Sequence, residues 1–191
     1  MILETSRLLL KSPQAVTGQA VLAYYLRNRE FLREFTPLRE ADFYTAAHQC
    51  RLLADAEQNW QTGTGFRFYL CRKELPEEII GTIALSNIVR GAFQSCFLGY
   101  QLDQNHLRQG YMTEAVHRIV AFAFDDLQLH RIEANILPRN IPSRGVAKKC
   151  HFEMEGISPK YLKINGIWED HIHYVIRNNT MEQEKELSPQ G

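Results

Sequence analysis

The chain has 191 residues, 45% of them apolar, which is long enough to bury one sizeable core and suits one domain. Lys plus Arg equals Asp plus Glu at 22 each, so no global positive field argues for strong nucleic-acid binding. Cys50, Cys71, Cys96 and Cys150 are widely spaced with no C-x-x-C pair, suggesting neither a zinc site nor a disulfide framework but buried free thiols in a reducing cytosol.

The start, MILETSRLLLK, has no basic segment followed by an apolar run. No apolar stretch approaches the roughly 18 residues of a membrane span. The expectation is a soluble, cytoplasmic protein without a membrane partner. Arg7 to Leu10 reads as a short buried strand. Ser12-Pro13 then reads as a helix entry, Ser as cap and Pro at the first position, with the helix running to about Arg27. Asn28 to Pro37 mixes charges with two Phe residues, either a short helix or a loop lining a pocket. Ala41 to Trp60 keeps helical spacing, with Gly63 and Gly65 as the stop.

Strands follow at Phe66 to Arg72 and Ile79 to Ile88, joined by a hairpin loop over Glu74 to Glu77. Cys96, Leu98, Tyr100 and Leu102 alternate with Phe97, Gly99 and Gln101, a strand with two distinct faces. From Met112 the period changes, and Met112, Ala115, Val116, Ile119, Val120 and Ala123 form one helical stripe. Between strand and helix, Gly110 lets the backbone approach a ligand and the first helix amides point outward unpaired, a site for an anion such as phosphate. A glycine-containing turn that binds nothing is the plainer alternative. There is no Walker loop and no G-x-G-x-x-G fingerprint, which argues against nucleotide hydrolysis.

Arg131 to Leu137 is a further strand, and Asn140-Ile141-Pro142-Ser143 a helix start with Asn140 as cap. Two last strands, about Phe152 to Lys163 and Ile167 to Arg177, meet at Asn165-Gly166, the pair favoured in tight primed turns. The domain is taken as residues 1–177, and the polar tail over 178–191 as frayed. The order implies an α/β fold with a central mixed twisted sheet of about six to seven strands and helices on both faces. One parallel crossover links Cys96–Leu102 to Arg131–Leu137.

The turn Arg108-Gln109-Gly110-Tyr111-Met112-Thr113-Glu114-Ala115, then Asn140-x-x-Ser143-x-x-Val146-Ala147, His151-Phe152 and Glu155-Gly156, resemble the GNAT acyltransferases. Asn28-x-x-Phe31-Leu32, Ser86 to Phe93, Leu98-Gly99-Tyr100, His130-Arg131-Ile132 and Asp170-His171 are similar to the RimJ/RimL branch. They are closest to the RimJ-type ribosomal-protein-alanine N-acetyltransferases. The likeness runs to about Arg177.

The resemblance implies acetyl-CoA as co-substrate and no metal. Its pyrophosphate would lie on the amides of Leu107, Arg108, Gln109, Gly110, Tyr111, Met112 and Thr113. Tyr100, Leu102, Asn140 and Ser143 would complete the site, Asn140 toward the pantetheine arm unless it serves only as a cap. Leu107 and Met112 depart from the family pattern, which has Gln or Arg at the first position and Gly or Ala at the second. Met112 is therefore expected to narrow the room for close approach. The implied reaction is direct attack of a neutral amine on the thioester. An α-amine, with a pKa of about 7.7–8.0, is partly neutral at pH 7, whereas a Lys amine near about 10.4 is not. Ser143 matches the position proposed to protonate the leaving thiolate, or is a first-turn Ser bonded to backbone. The family's basic Glu positions hold Asn135 and Leu162, leaving Glu133 as candidate base, or as an ion-pair partner of Arg131. The acceptor implied is the N-terminus of a ribosomal protein starting with alanine, and the protein a monomer or homodimer. A small-amine acetyltransferase and a non-catalytic CoA-binding module are the rivals.

Overall fold

Period-two alternation and turn chemistry produce the strands Ile2–Glu4 (β1), Leu8–Lys11 (β2), Phe66–Arg72 (β3), Leu75–Val89 (β4), Ser95–Leu102 (β5), Arg131–Ile136 (β6), Glu153–Ile164 (β7) and Ile167–Arg177 (β8). The helices are Gly18–Arg27 (α1), Arg29–Arg33 (α2), Ala46–Thr62 (α3), Tyr111–Ala121 (α4), Ile141–Lys149 (α5) and Asn179–Gln183 (α6). The structure, a computed structural model, describes residues 1–183. The frayed tail expected over 178–191 falls outside the described residues from 184 onward, and its first part forms α6.

The α/β expectation holds, with one mixed sheet in the order β1-β2-β3-β4-β5-β6-β8-β7. It has eight strands rather than six to seven, because β1 pairs back on β2 through Leu3↔Leu10. Among the described residues only β5 and β6 run parallel, joined through α4 as the crossover required.

Alternate residues of β3 face two cores. Phe68 and Leu70 join α4 residues Ala115, Val116 and Ile119 on one face, while Tyr69 and Cys71 meet Val21, Tyr24 and Tyr25 of α1 on the other. Trp60, at the end of α3, packs edge-on against Phe66 and Phe68. Beyond α4 the chain widens into a π turn at Phe122–Asp126, with Leu127 N–H bonded to Phe122 carbonyl at 3.1 Å. That turn seats the Phe122 ring against Phe68, with centroids 5.6 Å apart.

Some boundaries differ from the expectation. Ser12 is taken by the Met1 ammonium, which donates to its hydroxyl at 3.0 Å, so Pro13–Ala15 forms only a 3-10 turn. The cap of α1 is Thr17, whose hydroxyl accepts from Ala20 N–H. The hairpin between β3 and β4 turns at Lys73-Glu74, and residues 75–78 continue β4. Cys50 lies at the surface instead of in the core, while the other three thiols are buried.

Candidate active site

The sheet opens at its parallel seam. β5 and β6 pair only at Ser95↔Arg131, Cys96↔Ile132 and Phe97↔Glu133. Beyond that rung β5 stays with β4 as far as Leu102, and β6 stays with β8 as far as Ile136. Leu98–Leu102 and Ala134–Ile136 therefore diverge. Alternate backbone groups along both edges lack a strand partner, and an extended, amide-bearing arm can complete the ladder there.

The N-terminus of α4 follows β5. Arg108 (φ 60) and Gly110 (φ 81) both adopt left-handed backbone, which glycine takes without strain and arginine does not. No side chain caps this helix, so the amides of Tyr111, Met112 and Thr113 precede its first internal bond, Glu114 N–H to Gly110 carbonyl. Those amides and the helix dipole suit a phosphate.

Arg7, in the turn between β1 and β2, braces this end. Its guanidinium donates to Glu114 Oε2 at 2.7 Å and to the Gln109 carbonyl at 3.0 Å, and lies 4.4 Å from the Tyr111 ring centroid. Burial works to raise the Glu114 pKa. Hydrogen bonds from Thr5, Arg7 and Ser6 outweigh it and hold the carboxyl at about 2.

The expected phosphate residues are placed as follows. Arg108, Gln109 and Gly110 are exposed, and Leu107, Tyr111 and Thr113 are half-buried. Met112 is 4% exposed with its side chain in the core, so the crowding expected of it does not arise and its amide is left clear. Thr113 and Gly110 line a shallow cleft of about 650 Å³ with His117, Arg118 and Lys149. Leu102 is half-buried against the core.

On the α4–α5 face of the opening, Tyr100 and Ser143 bond twice. Ser143 Oγ donates to the Tyr100 hydroxyl at 3.0 Å, and that hydroxyl donates to the Ser143 carbonyl at 3.0 Å. The Ser143 hydroxyl is thus bonded to a phenol and not to backbone. Burial pushes the Tyr100 pKa above its ordinary 10, against the lowering effect of the Ser143 bond, and keeps the phenol protonated. Asn140 caps α5, its Oδ1 accepting from Ser143 N–H at 3.1 Å.

The opposite face carries Glu133, Asn135 and, from β8, His173. Arg131 donates to Glu133 Oε2 at 2.6 Å, and His173 Nδ1 lies 2.8 Å from Oε1. Burial opposes ionisation of Glu133, but the bonds to His173, Arg131 and Asn135 prevail and hold its pKa low. A carboxylate with both oxygens engaged is a poor proton acceptor, so the geometry favours the ion-pair account of Glu133 over the role of direct base. Asp170 accepts from Lys160 N–H at 2.9 Å at a β7 irregularity, and His171 lies 3.0 Å from the Glu169 carbonyl.

Three features escaped the sequence reading. His173 Nε2 lies 2.7 Å from Ser158 Oγ, and Tyr161 packs edge-on over His173. The alternation His171-x-His173 was the available signal. Asn28 and Arg27 both bond the fully buried Asp103 Oδ2, tying α1 to the end of β5. Gln101 Oε1 and Asn135 Oδ1 are buried without a hydrogen-bond partner. Each such oxygen costs about 1–3 kcal/mol if nothing donates to it.

An acetyltransferase (GNAT) domain profile matches residues 7–153. The chain belongs to the GNAT acetyltransferase family. It is 36% identical over 171 residues to the ribosomal protein uS5-alanine N-acetyltransferase of Escherichia coli, covering 89% of this chain and 87% of that one. It is 41% identical over 156 residues to the probable N-acetyltransferase YjcK of Bacillus subtilis, covering 82% and 86% respectively. The ribosomal-protein-S5-alanine acetyltransferase of Vibrio fischeri superposes with a TM-score of 0.86 at 31% identity, covering 94% of this chain and 97% of that one. Mycobacterium smegmatis RimJ, solved in complex with CoA-disulfide, shares the fold at a TM-score of 0.81 and 24% identity, with 98% and 90% covered. Among the described residues no group of His, Cys, Asp or Glu could hold a metal ion, and no helix is long and apolar enough to cross a membrane.

Proposed function

We propose that this acetyltransferase moves the acetyl group of acetyl-CoA to the N-terminal α-amine of a protein, a ribosomal protein starting with alanine, in the cytoplasm. The observation that carries the reading is the opening between β5 and β6, with the uncapped α4 N-terminus beside it. It suits a donor with a phosphate at one end and an amide-bearing arm. Support for the acceptor comes from the two relatives named for uS5 or S5 alanine, aligned over nearly the whole chain.

In this reading the amides of Tyr111, Met112 and Thr113 receive the pyrophosphate, and the edges of Leu98–Leu102 and Ala134–Ile136 receive the pantetheine arm. The neutral amine attacks the thioester carbonyl from the face of Gly99 and Asn135. As the C–S bond breaks, the Ser143 hydroxyl, held by the Tyr100 phenol, protonates the thiolate and is reprotonated from water, while the proton shed by the acylated nitrogen passes to water. Glu133 positions His173. With no free carboxylate base, kcat/KM rises with pH until the acceptor α-amine is neutral, near about 7.7–8.0.

Mass spectrometry of Ala-initiated peptides, Lys-containing peptides and small amines after incubation with acetyl-CoA tests the proposal. One acetyl group on the α-amine, absent when the terminus is blocked, is expected. Modification of small amines alone would overturn the acceptor, and bound acetyl-CoA that is never consumed would overturn catalysis.

A further inference from the structure

Two side-chain oxygens in the opening have no donor. Gln101 Oε1 on β5 and Asn135 Oδ1 on β6 are both cut off from water and unbonded. Phe97↔Glu133 is the last paired rung, and Gly99 and Asn135 each lie two residues further along their strands. The period of two places Phe97, Gly99, Gln101, Glu133 and Asn135 on one face, away from Tyr100 and Ser143. Gly99 is exposed, and a Cβ built on it would meet nothing within 4 Å. Open space therefore lies over Gly99, on the face that carries the two orphaned oxygens and across the strand from the proton donors.

The orientation of the Asn135 carboxamide follows from its neighbours. Glu133 is ionised and can only accept, and Asn135 is among its donors. Asn135 Nδ2 is also 3.5 Å from the Tyr161 hydroxyl. The amide nitrogen is thus directed to Glu133 and Tyr161, and the oxygen is left over.

We propose that Gln101 and Asn135 form the acceptor subsite. A primary amine enters over Gly99 and donates its N–H groups to the two carboxamide oxygens, which turn toward it. The inference rests on the N-acetyl transfer reading and deepens it. A carboxamide accepts a hydrogen bond but not a proton, so the pair orients the nitrogen without a charge that would hold it as ammonium. The nitrogen lone pair remains free for the thioester carbonyl. Carboxamides line the subsite while the neighbouring Glu133 carboxylate is already paired with Arg131 and His173, which selects an amine that is already neutral, such as an α-amine, over a Lys side chain.

Gln101→Met and Asn135→Leu remove the acceptors with little change of volume, and Gly99→Val fills the entry. Each is assayed with the free amine that the wild type acetylates, together with acetyl-CoA affinity and melting temperature. The peptide KM is expected to rise about ten-fold or more, with acetyl-CoA Kd within about two-fold of wild type. In Gln101→Met the melting temperature stays level or rises, because an orphaned acceptor has been replaced by an apolar group. A polar group that serves only the fold would instead lower it. An unchanged peptide KM in all three variants, with α-amine transfer intact, overturns the subsite and leaves the N-terminal reading standing. Transfer confined to small amines, with their KM raised by the same substitutions, overturns the N-terminal reading and keeps the subsite.

Discussion

Glu114 shows how one residue serves both the fold and the site. It takes bonds from Ser6 and Arg7 in the β1–β2 turn while standing in the first turn of the helix that would carry the phosphate. Its pKa falls from the ordinary 4.5 to about 2 on folding. A depressed carboxylate contributes stability that is fully present above about 4.5 and is lost as pH falls toward 2. Glu114→Gln is therefore expected to melt lower than wild type by several degrees above pH 5, and the gap to close on acidification toward pH 2. A gap that is constant across that range would remove the ion pair from the account. At Ser143 the expectation is catalytic: Ser143→Ala and Tyr100→Phe each lower kcat by about 10–100-fold, with acetyl-CoA Kd little changed. A chemically activated donor with a more acidic thiol leaving group should recover most of the loss, since it no longer needs the proton.

Between elements, a bridge ties the segment after α2 to the β7–β8 hairpin. Asn165 N–H donates to the Thr36 carbonyl at 3.0 Å, Arg33 donates to Asn165 Oδ1 at 3.2 Å, and Arg139 joins the Glu34 carbonyl to Glu169. These few exposed bonds link the segment after α2 to the β7–β8 hairpin. Arg139→Ala is expected to speed hydrogen exchange at residues 34–37 and 164–167 while leaving the buried strands β3 and β4 as protected as before. Exchange unchanged there would mean the segment is held by packing alone. The hairpin itself was legible, since Asn165 (φ 44) and Gly166 (φ 84) adopt the left-handed pair that the residues foretold. Phe66–Arg72 and Ile167–Arg177 were legible for the same reason, local alternation. Ser12 misled because its hydroxyl is claimed by the chain's own first residue, which no local pattern reports. The opening was only partly legible, through the parallel crossover whose strands end there and the family position that Asn135 holds. Its extent depends on where two strands stop pairing, and nothing at Gly99 reports that. Gly110 could be read because backbone freedom before a helix is a local property, whereas the orphaned oxygens of Gln101 and Asn135 exist only once the sheet is assembled.

For the whole molecule, the consequence is a sheet with one weak seam. β1 to β5 form a continuous antiparallel set, β6 to β8 a second, and only the short parallel ladder at Ser95–Phe97 joins them directly. Further connections pass through α4 and α5, where the Cys150 thiol lies against the Thr113 carbonyl at 3.6 Å, and through the bridge from the segment after α2 to the β7–β8 hairpin. A donor lying along both edges would supply backbone partners on each side and tie the two sets together, so binding should stabilise the fold globally. At a free concentration about 100-fold above Kd the linkage is worth about 2.7 kcal/mol. For a chain of this size that corresponds to a rise in melting temperature of roughly 5–11 °C. The comparison that isolates the seam is between CoA and a fragment holding only the adenosine and pyrophosphate, each at the same multiple of its own Kd. Melting temperatures should rise alike, because linkage depends on occupancy and not on contacts. Hydrogen exchange should not: CoA is expected to slow exchange along Leu98–Leu102 and Ala134–Ile136, and the fragment only near Gly110 and α4. Equal protection of both strands by the fragment would mean that the seam closes without an arm in it, and the opening would then be a property of the unliganded fold instead of the donor's binding slot.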